Sequence, residues 1–153
     1  VIKPKVQTVT AILNKAMKSV HLHFPHLEVS LKVEPEAECV LADKDRMTQV
    51  FVNILENAAR YNDKEKPTCN VRSEKIDDSV VISFSDNGIG VSEKHLSKIF
   101  DSFYQVDMGS GRKVGGTGLG LSICRGIMAA HGGKIWAEQN PKGGTVFKIS
   151  LSL

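Results

Sequence analysis

Two asparagines and an arginine share one stretch of helical pattern, at Asn53, Asn57 and Arg60. At 100° per residue they fall within a stripe about 60° wide, beside the apolar stripe of Met47, Val50, Phe51, Ile54, Leu55, Ala58 and Tyr61. Asparagine is a poor helix former because its side chain competes for backbone hydrogen bonds. Two of them one turn apart therefore ask for a reason. An amide oxygen is a neutral hard ligand, suited to a Mg²⁺ that takes its charge balance from phosphate. An arginine one turn on would face the same phosphates. Taken alone, the stripe reads equally well as a solvated polar face.

A second group is Asp86-Asn87-Gly88-Ile89-Gly90, directly after an apolar strand pattern at Val80, Ile82 and Phe84. An acid at a strand end can accept a hydrogen bond in a cleft. Gly88 and Gly90 let a flat ligand approach the backbone closely. The bland alternative is a loop of ordinary turn residues. A third group, Gly115-Gly116-Thr117-Gly118-Leu119-Gly120-Leu121, opens a helix. Glycines before a helix N-terminus expose N–H groups and a positive dipole end, an anion cradle. No lysine follows them, as a Walker motif would require, and Leu121 stands where the dinucleotide fingerprint needs glycine. Arg112 and Lys113 precede the glycines with mobile positive charge. Gly143-Gly144-Thr145 alone reads as a hairpin turn.

The elements needed to position these groups are legible as periodicities. Helices are expected over roughly 5–20, 45–61, 92–98 and 117–131, the third capped by Ser92. Strands are expected over about 27–33, 39–42, 69–74, 80–85, 134–138 and 145–151, with 101–116 polar and glycine-rich. The sum is an α/β (α+β) two-layer sandwich, a mixed and mostly antiparallel sheet covered on one face by helices.

Composition narrows the field further. The 153 residues suit a single domain, 1–153, and 41% hydrophobic with 24% charged residues is ordinary for a folded one. Disorder, collagen and a coiled-coil rod are excluded on those figures. A net charge of +3 does not describe a nucleic-acid binder. Cys39, Cys69 and Cys124 are odd in number and widely spaced, so free half-buried thiols in a reducing cytoplasm are expected. His21, His23 and His26 surround Pro25 without an acid or thiol at ligand spacing, a surface cluster. The chain opens on Val1 without a signal pattern and reads as a piece of a longer protein.

Taken in order, the groups resemble a family. Asn53…Asn57-Ala58-x-Arg60-Tyr61 resembles the N box of histidine-kinase ATP-binding domains, and Asp86-x-Gly88-x-Gly90 their G1 box. Phe100-Asp101-Ser102-Phe103 resembles the F box, Gly116 to Leu121 the G2 box, and Gly144-Thr145 the short G3 element. The resemblance runs from residue 4 to 152 and is to the Bergerat-fold (GHKL) superfamily.

That resemblance implies ATP and Mg²⁺ as ligands. Asn57 would be the main metal ligand with Asn53 assisting, and Arg60 would touch phosphate. Tyr61 would lie against the adenine or wall its pocket, and Asp86 would accept from the adenine amine. Gly88, Ile89 and Gly90 would shape the pocket floor, with Thr145 at its edge. Residues 101–116 would form an ATP lid with Arg112 and Lys113 reaching phosphates, and Phe100, Phe103 and Tyr104 would anchor the lid or help grip the phosphoacceptor helices. Gly116, Thr117, Gly118, Leu119, Gly120 and Leu121 would hold the triphosphate, and Gln105 would sit near the metal.

The gyrase, Hsp90 and MutL branches of the superfamily carry a glutamate one turn before the metal asparagine, as base for water. Asn53 stands at that position here, and Glu56 lies about 100° around the helix. An amide takes no proton from water, which favours holding ATP for an outside nucleophile over hydrolysis. The resemblance implies a histidine on separate dimerisation helices, then a response-regulator receiver domain, as partners. None of the five histidines has the context of a phosphoacceptor, so the piece is expected to be monomeric, to bind ATP and not to phosphorylate itself.

Overall fold

The structure, a computed structural model, describes residues 1–102, 104 and 120–152. In chain order its elements are β1 (Lys5–Thr8), α1 (Val9–His23), β2 (Glu28–Val33), β3 (Cys39–Ala42), α2 (Lys44–Arg60), β4 (Thr68–Ile76), β5 (Ser79–Asp86), α3 (Gly120–Ala130), β6 (Lys134–Gln139) and β7 (Thr145–Ser152). Five strands form one sheet in the order β2-β4-β5-β7-β6. β2 and β4 run parallel and the other neighbours antiparallel, the mixed sheet that the sequence pattern predicts.

Register explains the core. Leu31, Val71, Phe84, Phe147 and Ala137 lie opposite one another across the five strands, so one apolar row spans the sheet's inner face. The α2 stripe of Met47, Val50, Phe51, Ile54, Leu55 and Ala58 is buried above it. Phe51 meets Phe84 edge to face at 5.1 Å. Burying a side chain of this size is worth about 1.5–3 kcal/mol. The opposite sheet face carries charge, including the Arg72–Glu74 and Lys148–Glu138 pairs.

Five expectations need correction. Residues 5–8 are a strand, antiparallel to β3, and the helix begins only at Val9, where Thr8 caps it by accepting from the Ala11 N–H. That helix runs on through His21 to His23. Ser92 precedes a single 3-10 turn, Glu93–His95, and makes no side-chain cap. Tyr61 is half-buried outside the core stripe, at the C-cap of α2. Of the thiols, Cys69 and Cys124 are buried but Cys39 is exposed. Asp43 caps α2 by accepting from the Arg46 N–H, and its carboxylate also accepts from the Lys3 N–H at 2.9 Å. The two hairpin turns use positive φ, at Asp77 (54°) between β4 and β5 and at Gly143 and Gly144 (101° and 90°) between β6 and β7.

Candidate functional site

Asp86 ends β5, the central strand of the sheet, and is only 6% exposed. Its Oδ1 accepts two backbone N–H groups at 3.0 Å, from Gly88 in the loop after β5 and from Thr145 at the start of β7. Among the described residues no hydrogen bond reaches Oδ2. Burial pushes the carboxyl above its ordinary range, and the two N–H groups work against that rise. The neighbouring Cys69 thiol is pushed up by its own burial and then by the Asp86 charge.

The surroundings of Asp86 are kept free of side-chain carbon. A Cβ on Gly144 would lie 2.2 Å from the Asp86 carbonyl oxygen and 2.6 Å from Oδ1. A Cβ on Gly88 would lie 2.4 Å from the Tyr61 carbonyl, so only glycine lets this loop close on the end of α2. Ile89 completes that junction by donating its N–H to the same carbonyl at 3.0 Å, and its side chain is exposed. Gly90 turns at a φ of 78°, beside Gly144. Thr145 is buried.

α2 presents the second group. Asn53 donates from Nδ2 to the Gly120 carbonyl at 3.2 Å, tying α2 to the first residue of α3. The nearby Cys124 thiol donates to the Val50 carbonyl at 3.8 Å, and burial pushes it up to about 12, with the Asn53 side chain working against that rise. Asn57 is half-buried, and its carboxamide hydrogen-bonds no described residue. The Arg60 guanidinium rests over the Phe24 ring, 5.7 Å from its centroid. Glu56 points to the α1 side, with its carboxylate 3.6 Å from His23 Nδ1.

The remaining sequence-predicted residues divide in two. Gly120 opens α3, Leu121 is half-buried against the core, and Phe100 is buried edge to face with Phe147 at 6.2 Å. Tyr104 contacts His95 Nδ1 through its hydroxyl. Phe103, Gln105, Arg112, Lys113, Gly116, Thr117, Gly118 and Leu119 lie outside the described residues.

Two residues that matter to this geometry escape sequence reasoning. Asn87 accepts at Oδ1 from Asn62 Nδ2 (2.7 Å) and the Thr68 N–H (2.9 Å), and donates to the Lys66 carbonyl at 3.0 Å. It fastens the loop after α2 to the glycine loop after β5. Asn140 donates to the Asp86 carbonyl at 3.2 Å. Both read in sequence as turn residues; the only signal is their adjacency to glycine-bearing groups.

The donor set fits a purine and a hard cation. Asp86 keeps one carboxylate oxygen without a described partner, beside glycines that let the end of α2 and the 140–145 turn close directly on its loop. The Asn53 amide nitrogen is spent on Gly120, so the oxygen is the atom left to it for a ligand. Asn57 adds a second neutral oxygen one turn on, a set matched to Mg²⁺.

Comparison with known proteins identifies the family. Residues 42–153 match the family described as histidine kinase-, DNA gyrase B-, and HSP90-like ATPases. The sensor protein kinase WalK of Staphylococcus haemolyticus is 44% identical over 110 residues, covering 71% of this chain but 18% of that protein. The chain thus spans about a fifth of that relative's length. The catalytic domain of the histidine kinase ThkA superposes with a TM-score of 0.81 at 27% identity, covering 99% of this chain and 96% of that one. Full-length ShkA, solved in complex with AMPPNP, gives a TM-score of 0.80 at 25% identity, over 99% of this chain and 31% of that one. The chain belongs to the family of histidine kinase-, DNA gyrase B- and HSP90-like ATPases, as a catalytic ATP-binding domain of the sensor histidine kinase type.

Proposed function

We propose that this domain binds ATP with Mg²⁺ and presents the γ-phosphoryl group to a histidine imidazole on separate dimerisation helices. The imidazole nitrogen forms the new bond to phosphorus, the bond to the β-phosphate oxygen breaks, and ADP leaves. The phosphoryl group then passes to an aspartate of a response regulator. The setting is the cytoplasmic part of a sensor kinase.

Each residue has a distinct task. Asp86 Oδ2 accepts from the adenine amine and selects adenine over guanine, whose corresponding position carries an oxygen. Gly88 and Gly90 shape the loop that receives the ring, and Tyr61 walls it. Asn57, with Asn53, holds Mg²⁺, which when bound neutralises phosphate charge. Arg60, Arg112 and Lys113 add positive charge to the phosphates, and Gly116, Gly118 and Gly120 offer backbone N–H groups. Phosphoryl transfer asks mainly for positioning and charge, so no general base is needed on this chain.

The observation that carries this reading is the Asp86 arrangement, with Oδ1 locked by two backbone N–H groups and its partner oxygen left for the ligand. The amide at position 53 supports transfer over hydrolysis, as does the turning of Glu56 toward His23. The bound AMPPNP of ShkA supports an adenine nucleotide as the ligand. Four of the five histidines have partners within the domain, consistent with a phosphoacceptor elsewhere. His21 Nε2 meets the Leu27 carbonyl, His23 meets Glu56, His95 meets Tyr104, and His131 links the Asp43 N–H to the Ile127 carbonyl.

Titration calorimetry with AMPPNP tests it. Binding is expected to strengthen with Mg²⁺, and Asp86→Asn should weaken it about 10-fold or more, because an amide that accepts at Oδ1 turns its NH₂ toward the adenine amine. An Asp86→Asn variant that bound as tightly as the parent would overturn the adenine assignment.

A further inference from the structure

We infer that Asn140 is a positioning residue for purine recognition: acting on the Asp86 carbonyl, it fixes the direction in which the Asp86 carboxylate meets the adenine amine. The inference rests on the role proposed above for Asp86.

The β5–β7 ladder supplies the reason. Its regular pairing ends at Ser85 opposite Val146. One step further, side chains carry the bonding across the two strands. The Thr145 N–H goes to the Asp86 carboxylate at 3.0 Å, and the Asp86 carbonyl accepts from Asn140 Nδ2 at 3.2 Å. Asp86 is therefore held at two points by one turn, once through its carboxylate and once through its backbone.

Asn140 is itself fixed on every side. Its backbone N–H donates to the Gly144 carbonyl (3.1 Å), its carbonyl accepts from the Gly143 N–H (2.9 Å), and its Oδ1 accepts from the Lys142 N–H (3.2 Å). With the amide oxygen spent inside the turn, Nδ2 has one orientation, toward Asp86. Gly144, with no room for a Cβ against Asp86, lets the turn lie directly on the acid. Asn140 thus sets how the 140–145 turn seats on Asp86, and so where the Thr145 N–H pulls Oδ1 and where Oδ2 points.

A turn residue without this role would change stability and affect all nucleotides alike. The test therefore compares ADP with purine riboside 5′-diphosphate, which has hydrogen in place of the adenine amine. Calorimetry is run on the parent chain, Asn140→Ala and Asn140→Asp. The Asp variant keeps the acceptor for Lys142 but loses the donor to Asp86, and it serves if the Ala variant does not fold. The parent should prefer ADP. Both variants should lose about three- to tenfold in ADP affinity and less than about twofold for the analogue. Equal losses for both nucleotides, or no loss for ADP, would overturn the inference while leaving the Asp86 assignment standing. A parent that binds the two nucleotides equally would instead remove the Asp86 assignment and the inference with it.

Discussion

The two ends of the candidate site are built in opposite ways. Around Asp86, the fold has already spent most of its hydrogen-bonding capacity: Oδ1 takes two N–H groups, and the carbonyl takes Asn140. On the α2 face, the Asn57 carboxamide has no described partner, and Asn53 spends its nitrogen on the Gly120 carbonyl. The acid end is preorganised, with one oxygen held in place before any ligand arrives. The α2 face keeps its acceptors in reserve, since a ligand oxygen tied up in the fold could not serve a metal. The difference predicts that damage at the first end reaches the fold, while damage at the second reaches only the ligand.

The largest expected effect is at Gly144. Gly144→Ala places a Cβ 2.2 Å from a backbone oxygen at a φ of 90°, so it should cost about 3 kcal/mol or more in stability and remove adenine binding. Chemical denaturation alongside calorimetry measures both. Asn57→Ala should do the reverse: about a 100-fold loss of Mg²⁺-dependent nucleotide affinity with little change in the denaturation midpoint. If Asn57→Ala proved as destabilising as Gly144→Ala, the contrast between the two ends would fail.

A subtler effect comes from pH. Burial raises the Asp86 pKa in the folded domain above its ordinary value of 3.8. A raised carboxyl favours folding in its protonated form, so its contribution to stability is complete below the unfolded value and is lost as pH rises through the folded one. Adenine binding runs the other way, because protonation removes the acceptor. As pH is lowered, ADP affinity should therefore begin to fall while the pH is still above the ordinary carboxylate range, and this step should be missing in Asp86→Asn. The smallest effect belongs to neither end. Thr8→Ala removes the α1 cap, should cost about 1 kcal/mol and a few degrees of melting temperature, and should leave nucleotide binding unchanged.

Much of this arrangement is legible in the sequence, and the failures have definite causes. The α2 stripe and the inner sheet rows carry the periods of 3.6 and 2 that burial imposes. β1 hides because Val6 and Val9 continue the helical spacing of α1. Only pairing with Cys39–Ala42, more than 30 residues away, makes 5–8 a strand. Asp86 announces itself through its glycines, since close approach demands a residue type. Asn87 and Asn140 do not, because a residue that bonds to distant carbonyls looks in sequence like any turn former. Phe100 reads as part of a motif, and its packing on Phe147 depends on where β7 lies in the sheet.

β7 is an interior strand although it comes last in chain order, and the Thr145 N–H reaches back 59 residues to Asp86. During synthesis, a chain that has emerged only as far as α3 holds the acid, both helix asparagines and the glycine loop, yet has only the local Gly88 N–H to hold the carboxylate. The clasp arrives with the final hairpin.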